Sequence, residues 1–351
     1  MTMTIKQAKS VLKEVIRYNM RLGEKGAPAS KYIVMHLEGP PGMGKTSAAY
    51  GAAAELGLGT DTYVPAGNDP TDFTGLPNFS TTDAGQVITK WTTTEMFLNP
   101  DGTVIVLDEL TKAAMMVLNV FSQLIEERRI GKHVLPPKTT IVTTGNPLSS
   151  RSGDQEMPRH LDDRLCVVPV INPYQDWLEW AATGGIRTEY TGYVAFKGEA
   201  SFGFNPDNRK NPTQRSITKA SGLLELDVLP RHLLQQMTAG YVGDGAATEI
   251  MAFLQLHNDL PSPQSIIADP ENSPVPPDSN PGMIYAIVSA LVGHATVKTI
   301  KPIMAYLSRI KSKEFTVYGL KDIIHRYPAL NSSPALTEWK FKNSHLFTPV
   351  L

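Results

Sequence analysis

The run "HLEGPPGMGKTSAAYGAAAELG", residues 36 to 57, restricts the fold more than any other stretch of the chain. An apolar segment, "KYIVMHLEG", leads into Gly39–Thr46, which fits G-x-x-x-x-G-K-[ST]. An alanine-rich helical segment, Thr46 to Leu56, follows and stops at Gly57 and Gly59. Strand, glycine-rich loop and helix in this order form a phosphate cradle. The glycines let backbone N–H groups converge on phosphate oxygens, and the helix N-terminus adds a favourable dipole. Gly39, Pro40, Pro41, Gly42, Met43, Gly44, Lys45, Thr46 and Ser47 are the candidate binding residues. Lys45 would reach the β- and γ-phosphates, and the Thr46 hydroxyl would ligate Mg²⁺. The ligand expected is ATP with Mg²⁺.

The second informative run is "GTVIVLDEL", residues 102 to 110, a continuous apolar segment that reads as a buried parallel strand and ends in Asp108-Glu109. In an open α/β sheet, ligands bind beyond the carboxyl ends of the strands, so both carboxylates would face the phosphate loop. Asp108 suits a Walker-B role, holding Mg²⁺ and its waters. Glu109 suits the general base that polarises the attacking water. An Asp-Glu pair can also merely cap the next helix. Its place at a strand end, 63 residues after Lys45, favours catalysis. A water-activating acid beside a phosphate loop argues for hydrolysis rather than transfer to a small acceptor.

Further strands are expected in "TYVPAGND", where a polar turn follows the strand, in "TTIVTTGNP" (139 to 147) and in "RLCVVPV" (164 to 170), with helices over 4 to 20 and about 113 to 127. Residues 70 to 100 show only weak periodicity. Strands alternating with helices imply an α/β domain with a mostly parallel sheet. After about residue 170 the chain becomes mainly helical and is interrupted by the proline-rich loop "DPENSPVPPDSNPG" (269 to 282). The expected organisation is an N-terminal helix and linker over 1–29, a nucleotide-binding core over 30–185, and a helical lid with C-terminal helices over 186–351.

Composition excludes several other classes. Lys and Arg number 33 against 34 Asp and Glu, a net charge of −1 that gives no broad nucleic-acid footprint. One cysteine, Cys166, cannot form a disulfide framework and reads as a small buried hydrophobe in a core strand. The eight histidines show no zinc-ligand spacing. No apolar run approaches the roughly 18 residues needed to span a bilayer, and the N-terminus lacks a signal-peptide pattern, so a cytoplasmic protein is expected. Trp177 and Trp180, three apart on a helix, read as packing residues, and "NDPTDF" reads as an Asx turn or as a segment lining a substrate-facing side, of which the turn is favoured.

Three weaker signals have two readings each. Asn146, in "TTGNP", can orient the water or the γ-phosphate from a strand end, although Gly-Asn-Pro is also an ordinary turn. Arg159 and Arg164, in "MPRHLDDRLCVVPV", are either surface charges or a finger reaching a neighbouring subunit's γ-phosphate. Arg215, in "NPTQRSITKASGLL", stands at a helix start, where the dipole disfavours it unless an anion is near.

Together these elements resemble an AAA+ ATPase, and more narrowly the MoxR branch. The carriers are Gly39–Thr46, "DPTDFTGLP" (69 to 77), "LDELTKAAMMVLNVFSQLIEERRI" (107 to 130), "VTTGNP" (142 to 147), "LDDRL" (161 to 165) and "PTQRSITKASGLL" (212 to 224). The resemblance spans roughly residues 30 to 260 and is strongest over the nucleotide core. It implies an αβα core with a parallel sheet followed by a helical lid. It also implies that Asn146 is sensor 1, that Arg164 is the trans-acting arginine finger, and that Arg215 is the sensor-2 arginine. The chain departs from the family in two places. Gln214 stands where the family often has proline, and Asp162-Asp163 precede Arg164 where the family more often has a leucine–aspartate or leucine–asparagine pair. Arg159 can therefore share or replace the finger role.

The resemblance further implies a homo-oligomeric, commonly hexameric ring that remodels a protein partner, often one carrying a von Willebrand factor A domain. The chain would also suit a phage-encoded member acting in the host cytoplasm. The alternatives are a nucleic-acid motor or loader on the same core, and a non-hydrolysing scaffold that uses ATP only to organise a ring. The balanced charge counts against the first, and the intact Asp108-Glu109 pair against the second.

Overall fold

The computed structural model describes residues 2–344, except 152 and 227. His345 lies outside the described residues. The chain divides into two compact units, Met1–Asn172 and Pro173–Leu351.

The first unit begins with β1 (Met3–Thr4), α1 (Ile5–Glu24), β2 (Met35–Glu38), α2 (Lys45–Glu55) and β3 (Thr60–Tyr63). It continues with α3 (Pro70–Thr74), β4 (Pro77–Thr81), β5 (Val87–Trp91), β6 (Val104–Leu107) and α4 (Met115–Glu127). It ends with β7 (Arg129–Ile130), β8 (His133–Val134), β9 (Thr140–Gly145), α5 (Arg159–Asp162) and β10 (Cys166–Ile171). Six strands form a parallel sheet in the order β1-β10-β2-β9-β6-β3.

Every residue of β6 and β9 is buried, because helices cover both faces of the sheet. On one face Leu12 and Ile16 of α1 and Ala48, Ala49, Ala52 and Ala53 of α2 pack on Leu37, Val106 and Val142. The small alanine side chains let α2 lie close to the strands. On the other face Val117, Leu118 and Phe121 of α4 pack on Ile105, Leu107 and Ile141. Alternation along β6 and β9 thus divides their side chains between two cores. Glu55 of α2 is paired with Lys9 at 2.5 Å and Lys13 at 2.6 Å of α1, which ties the two helices together.

One strand expectation needs correcting: Cys166 is exposed, not buried. The outer neighbour of β10 is the two-residue β1, which pairs only with Val170 and Ile171 and leaves the start of β10 uncovered. The strand-then-turn reading of "TYVPAGND" agrees with the structure, where β3 ends at Tyr63 and a 3-10 turn follows at Pro65–Gly67. Residues 70 to 100, weakly periodic in sequence, are locally ordered. They hold α3, capped by Asp69 with Asp72 in a reciprocal capping box, and the antiparallel β4–β5 hairpin. The hairpin lacks an apolar–polar alternation because neither of its faces is built into a core. Phe79, Val87 and Trp91 share one of those faces and are 75 %, 72 % and 50 % exposed.

The second unit is helical: α6 (Tyr174–Thr183), α7 (Thr188–Lys197), α8 (Gln214–Ser221), α9 (Arg231–Val242) and α10 (Asp244–Asp259), then α11 (Pro263–Ala268), α12 (Pro281–Val292), α13 (Ile300–Ser308), α14 (Lys313–Arg326) and α15 (Pro334–Lys342). Trp177, Tyr190, Tyr193, Ile217 and Phe253 centre one core, and Ile287, Leu291, Tyr306, Leu307 and Leu320 another. α12 contributes to both, through Ala286 to the first and Ile287 to the second. Trp177 is buried, but Trp180 is half-exposed and touches it only at the rim, with ring centroids 6.3 Å apart. The helices α7, α11 and α15 had no distinct sequence signal.

Candidate active site

Sheet register brings the sequence motifs together. β9 lies between β2 and β6, with Glu38 opposite Gly145 and Leu107 opposite Thr143. Gly39, Asn146 and Asp108 are the residues that follow these three strands, so all three leave the sheet at its carboxyl edge.

The loop Gly39–Gly44 has its two left-handed positions at Gly42 (φ 83°) and Gly44 (φ 94°). Gly44 caps α2 and its carbonyl accepts from Ala48 N at 2.9 Å. A side chain at Gly39 would meet Val170 O at 2.9 Å, so the loop can lie against β10 only as glycine. Asn172 Nδ2 donates to Met43 O at 3.0 Å and holds the far side of the loop.

Lys45 is buried, and its ammonium turns back across the loop. It donates to Gly39 O at 2.6 Å, Pro40 O at 3.0 Å and Asn146 Oδ1 at 2.9 Å. Asn146 is only 4 % exposed. Thr46 Oγ1 donates to Asp108 Oδ1 at 2.8 Å, and the Thr144 hydroxyl donates to the same oxygen. A hydroxyl and a carboxylate brought this close are hard oxygen donors of the kind Mg²⁺ takes, with waters and phosphates completing its octahedron. Among the described residues no group of three or more His, Cys, Asp or Glu could hold a metal ion.

Glu109 has left-handed backbone geometry (φ 54°), a conformation that costs a residue with a side chain about 1 kcal/mol or more. Its N–H is held by Thr144 Oγ1 at 3.1 Å. It precedes the 3-10 turn Leu110–Lys112 but makes no side-chain cap there. Its carboxylate is instead paired with Lys112, 3.0 Å away. The pair Asp108-Glu109 is therefore not a helix cap. Thr144 touches both residues, one by its donated proton and one by its lone pair.

His36 of β2 sits beneath this edge. Its Nδ1 is 2.8 Å from Thr143 Oγ1, and its buried Nε2 has no partner among the described residues. Burial, and secondarily the Lys45 charge, pull its pKa down from 6.5 to about 4, so the ring is neutral at pH 7.

Two candidate arginines have different surroundings. Arg164 is tied to α4: its guanidinium donates to the Ser122 hydroxyl and carbonyl, and Nε lies 2.9 Å from Glu126 Oε2. Arg159, on α5, is exposed, and its side chain has no hydrogen bond or ion pair among the described residues. Arg215 belongs to the second unit. It is exposed in the first turn of α8, whose N-cap Thr213 forms a capping box with Ser216 and whose first turn contains no acidic residue. Asp154, Thr111 and Lys112 were not anticipated as site residues. Asp154 lies in the loop after β9, and Thr111 and Lys112 in the 3-10 turn after β6. The sequence offers no local signal for them.

Residues 35–165 match the family model described as AAA domain (dynein-related subfamily). No curated protein matches the chain. Among solved structures, a point mutant of Thermotoga maritima RuvB is similar at 15% identity, with 81% of this chain and 82% of that one covered and a TM-score of 0.42. The Thermotoga maritima RuvB Holliday junction branch migration motor is similar at 15% identity over 82% and 80% of the two chains, with a TM-score of 0.37. NtrX from Brucella abortus is similar at 16% identity over 64% and 57%, with a TM-score of 0.37. Residues 35–165 therefore form an AAA domain, the ATP-hydrolysing unit of an AAA+ fold.

Proposed function

We propose that this chain is an Mg-ATP-driven, ring-forming AAA+ ATPase of MoxR type that remodels or assembles a protein partner. The observation that carries the hydrolytic part is the convergence at one sheet edge of Lys45 with Asn146 at 2.9 Å and Thr46 with Asp108 at 2.8 Å, beside the strained Glu109. In this reading Gly39–Ser47 hold the phosphates, and Lys45 exchanges its carbonyl partners for phosphate oxygens. Thr46 and Asp108 hold Mg²⁺, which neutralises phosphate charge when bound. Glu109 accepts a proton from the attacking water, and Asn146 orients that water.

Arg164 is the proposed finger toward a neighbouring subunit, with Arg159 sharing the task. All described side-chain partners of Arg164 lie on α4, and none is Lys45, Thr46 or Asp108. Arg215 is assigned as sensor 2 on the sequence resemblance alone, and the same holds for a von Willebrand factor A partner and a hexameric ring. A protein substrate is favoured over nucleic acid by the net charge of −1 and by the exposed Phe79, Val87 and Trp91 on the hairpin. No described helix is long and apolar enough to cross a membrane.

The direct test compares nucleotide binding and turnover in two variants. Lys45→Ala loses ATP binding, whereas Glu109→Gln binds ATP as tightly as the parent and turns over at least about a hundredfold more slowly. Turnover at the parent rate in Glu109→Gln would remove Glu109 from the mechanism.

A further inference from the structure

The Asn146 side chain sits between an obligate donor and an obligate acceptor. On one side the Lys45 ammonium lies 2.9 Å from Oδ1. On the other, Nδ2 lies 3.2 Å and 3.4 Å from the two carboxylate oxygens of Asp154. An ammonium has no lone pair to offer and a carboxylate no proton, so the orientation of the amide is set by chemistry. Turning it over would place two donors together at Lys45 and two acceptors together at Asp154.

Asp154 is itself held. The Thr111 hydroxyl donates to its Oδ1 at 2.5 Å and accepts from Asn146 N–H at 3.4 Å. The next residue, Gln155, donates its backbone N–H to Thr111 O at 2.9 Å and its side-chain amide to Ala113 O. The loop carrying Asp154 is thereby fastened to the turn that follows Glu109. Thr111 is buried, so the network is shielded from competing water.

We propose that Asp154 is a positioning residue for ATP hydrolysis, one that fixes Asn146 with its carbonyl oxygen, not its NH₂ group, toward Lys45 and the phosphate loop. This deepens the ATPase reading above and rests on it. Asn146 then works as a hydrogen-bond acceptor. It can hold one proton of the attacking water while Glu109 takes the other. Its NH₂ group is the end turned to Asp154, so the end that faces Lys45 and the phosphate loop is the acceptor. Asp154 touches neither nucleotide nor water in this scheme and acts through Asn146 alone.

The test uses the full chain and steady-state ATP turnover. Asp154→Asn is isosteric but can donate, so it permits the Asn146 amide to turn over. Its kcat falls roughly tenfold, the scale of one misdirected hydrogen bond to a charged group. The KM for ATP and the affinity for a non-hydrolysable ATP analogue stay within about twofold, since phosphate binding does not use Asp154. In an Asn146→Ala background the same substitution has no further effect on kcat, because the group through which it acts is gone. Thr111→Val, which removes the hydroxyl holding Asp154, lowers kcat severalfold with KM unchanged and carries the test should Asp154→Asn not fold. A parent-like kcat in a folded Asp154→Asn, or an undiminished loss in the Asn146→Ala background, overturns the proposal while leaving the ATPase reading intact. A parent chain that binds ATP without hydrolysing it overturns both.

Discussion

Lys112 Nζ stands 3.0 Å from Glu109 Oε2 across a single 3-10 turn, so the carboxylate assigned as general base is held by a cation three residues further on. The pair is partly exposed, and such pairs contribute only about 0–1 kcal/mol. Lys112 thus competes with water for Glu109 without locking it. Lys112→Met is expected to raise kcat by no more than about fivefold, with ATP affinity unchanged. A fall of more than tenfold in single-turnover rate would show instead that Lys112 contributes its charge to the reacting complex.

Gly145, the last residue of β9, has no room for a side chain. A Cβ there would lie 2.8 Å from Nε2 and Cε1 of His36 and 2.8 Å from Thr111 Cγ2. Both neighbours are buried, so neither can swing away cheaply. Gly145→Ala should cost about 1–3 kcal/mol of stability, the usual range for overpacking. It should also displace Asn146, lowering kcat more than it raises KM. Urea titration together with ATP kinetics checks both, and a variant as stable and active as the parent would contradict the packing described.

The buried His36 makes stability depend on pH. Its folded pKa of about 4 lies below the unfolded 6.5, so between these values the unfolded chain binds the extra proton. Stability is therefore full above pH 6.5 and declines as pH falls toward 4, by about 3 kcal/mol for this one group. Replacement by Gln removes the titration. Unfolding midpoints at pH 7, 6 and 5 should fall less steeply in His36→Gln than in the parent, and parallel slopes would rule the histidine out as their source.

The two arginines near the start of β10 separate by their partners. Removing Arg164 loses its ties to Ser122 and Glu126 on α4 as well as any charge it delivers to a neighbour, whereas exposed Arg159 has no such ties to lose. Arg164→Ala should lower both the melting temperature and ATP turnover, while Arg159→Ala should affect turnover alone. Mixed with Lys45→Ala subunits, Arg164→Ala should recover part of the activity, because intact sites form where one subunit supplies the loop and another the arginine. Activity in the mixture no higher than the weighted sum of the two separate preparations would exclude a trans role.

Much of the local structure was legible along the chain. A continuous apolar run marked β6, "TTIVTTGNP" read as the strand β9, and the alanine-rich segment after the phosphate loop read as the helix α2. The phosphate loop announced itself because its backbone shape needs glycine at fixed positions. The exposure of Cys166 was not legible, since a strand's burial depends on how far its neighbour extends, and β1 covers only the end of β10. Nor was the β4–β5 hairpin, whose residues pack against no core and so carry no alternation.

By itself the sequence determined the strand–loop–helix cradle of Gly39–Thr46 and the carboxylates at the end of β6, because glycine geometry and apolar runs act over a few residues. The tertiary structure alone decided that β9 lies between β2 and β6, so that Asn146 meets Lys45 on one side and Asp154 on the other. Buried parallel strands are nearly interchangeable as sequences. Their order and register are chosen by hydrogen bonds and packing between segments that can lie more than a hundred residues apart, which no short window encodes.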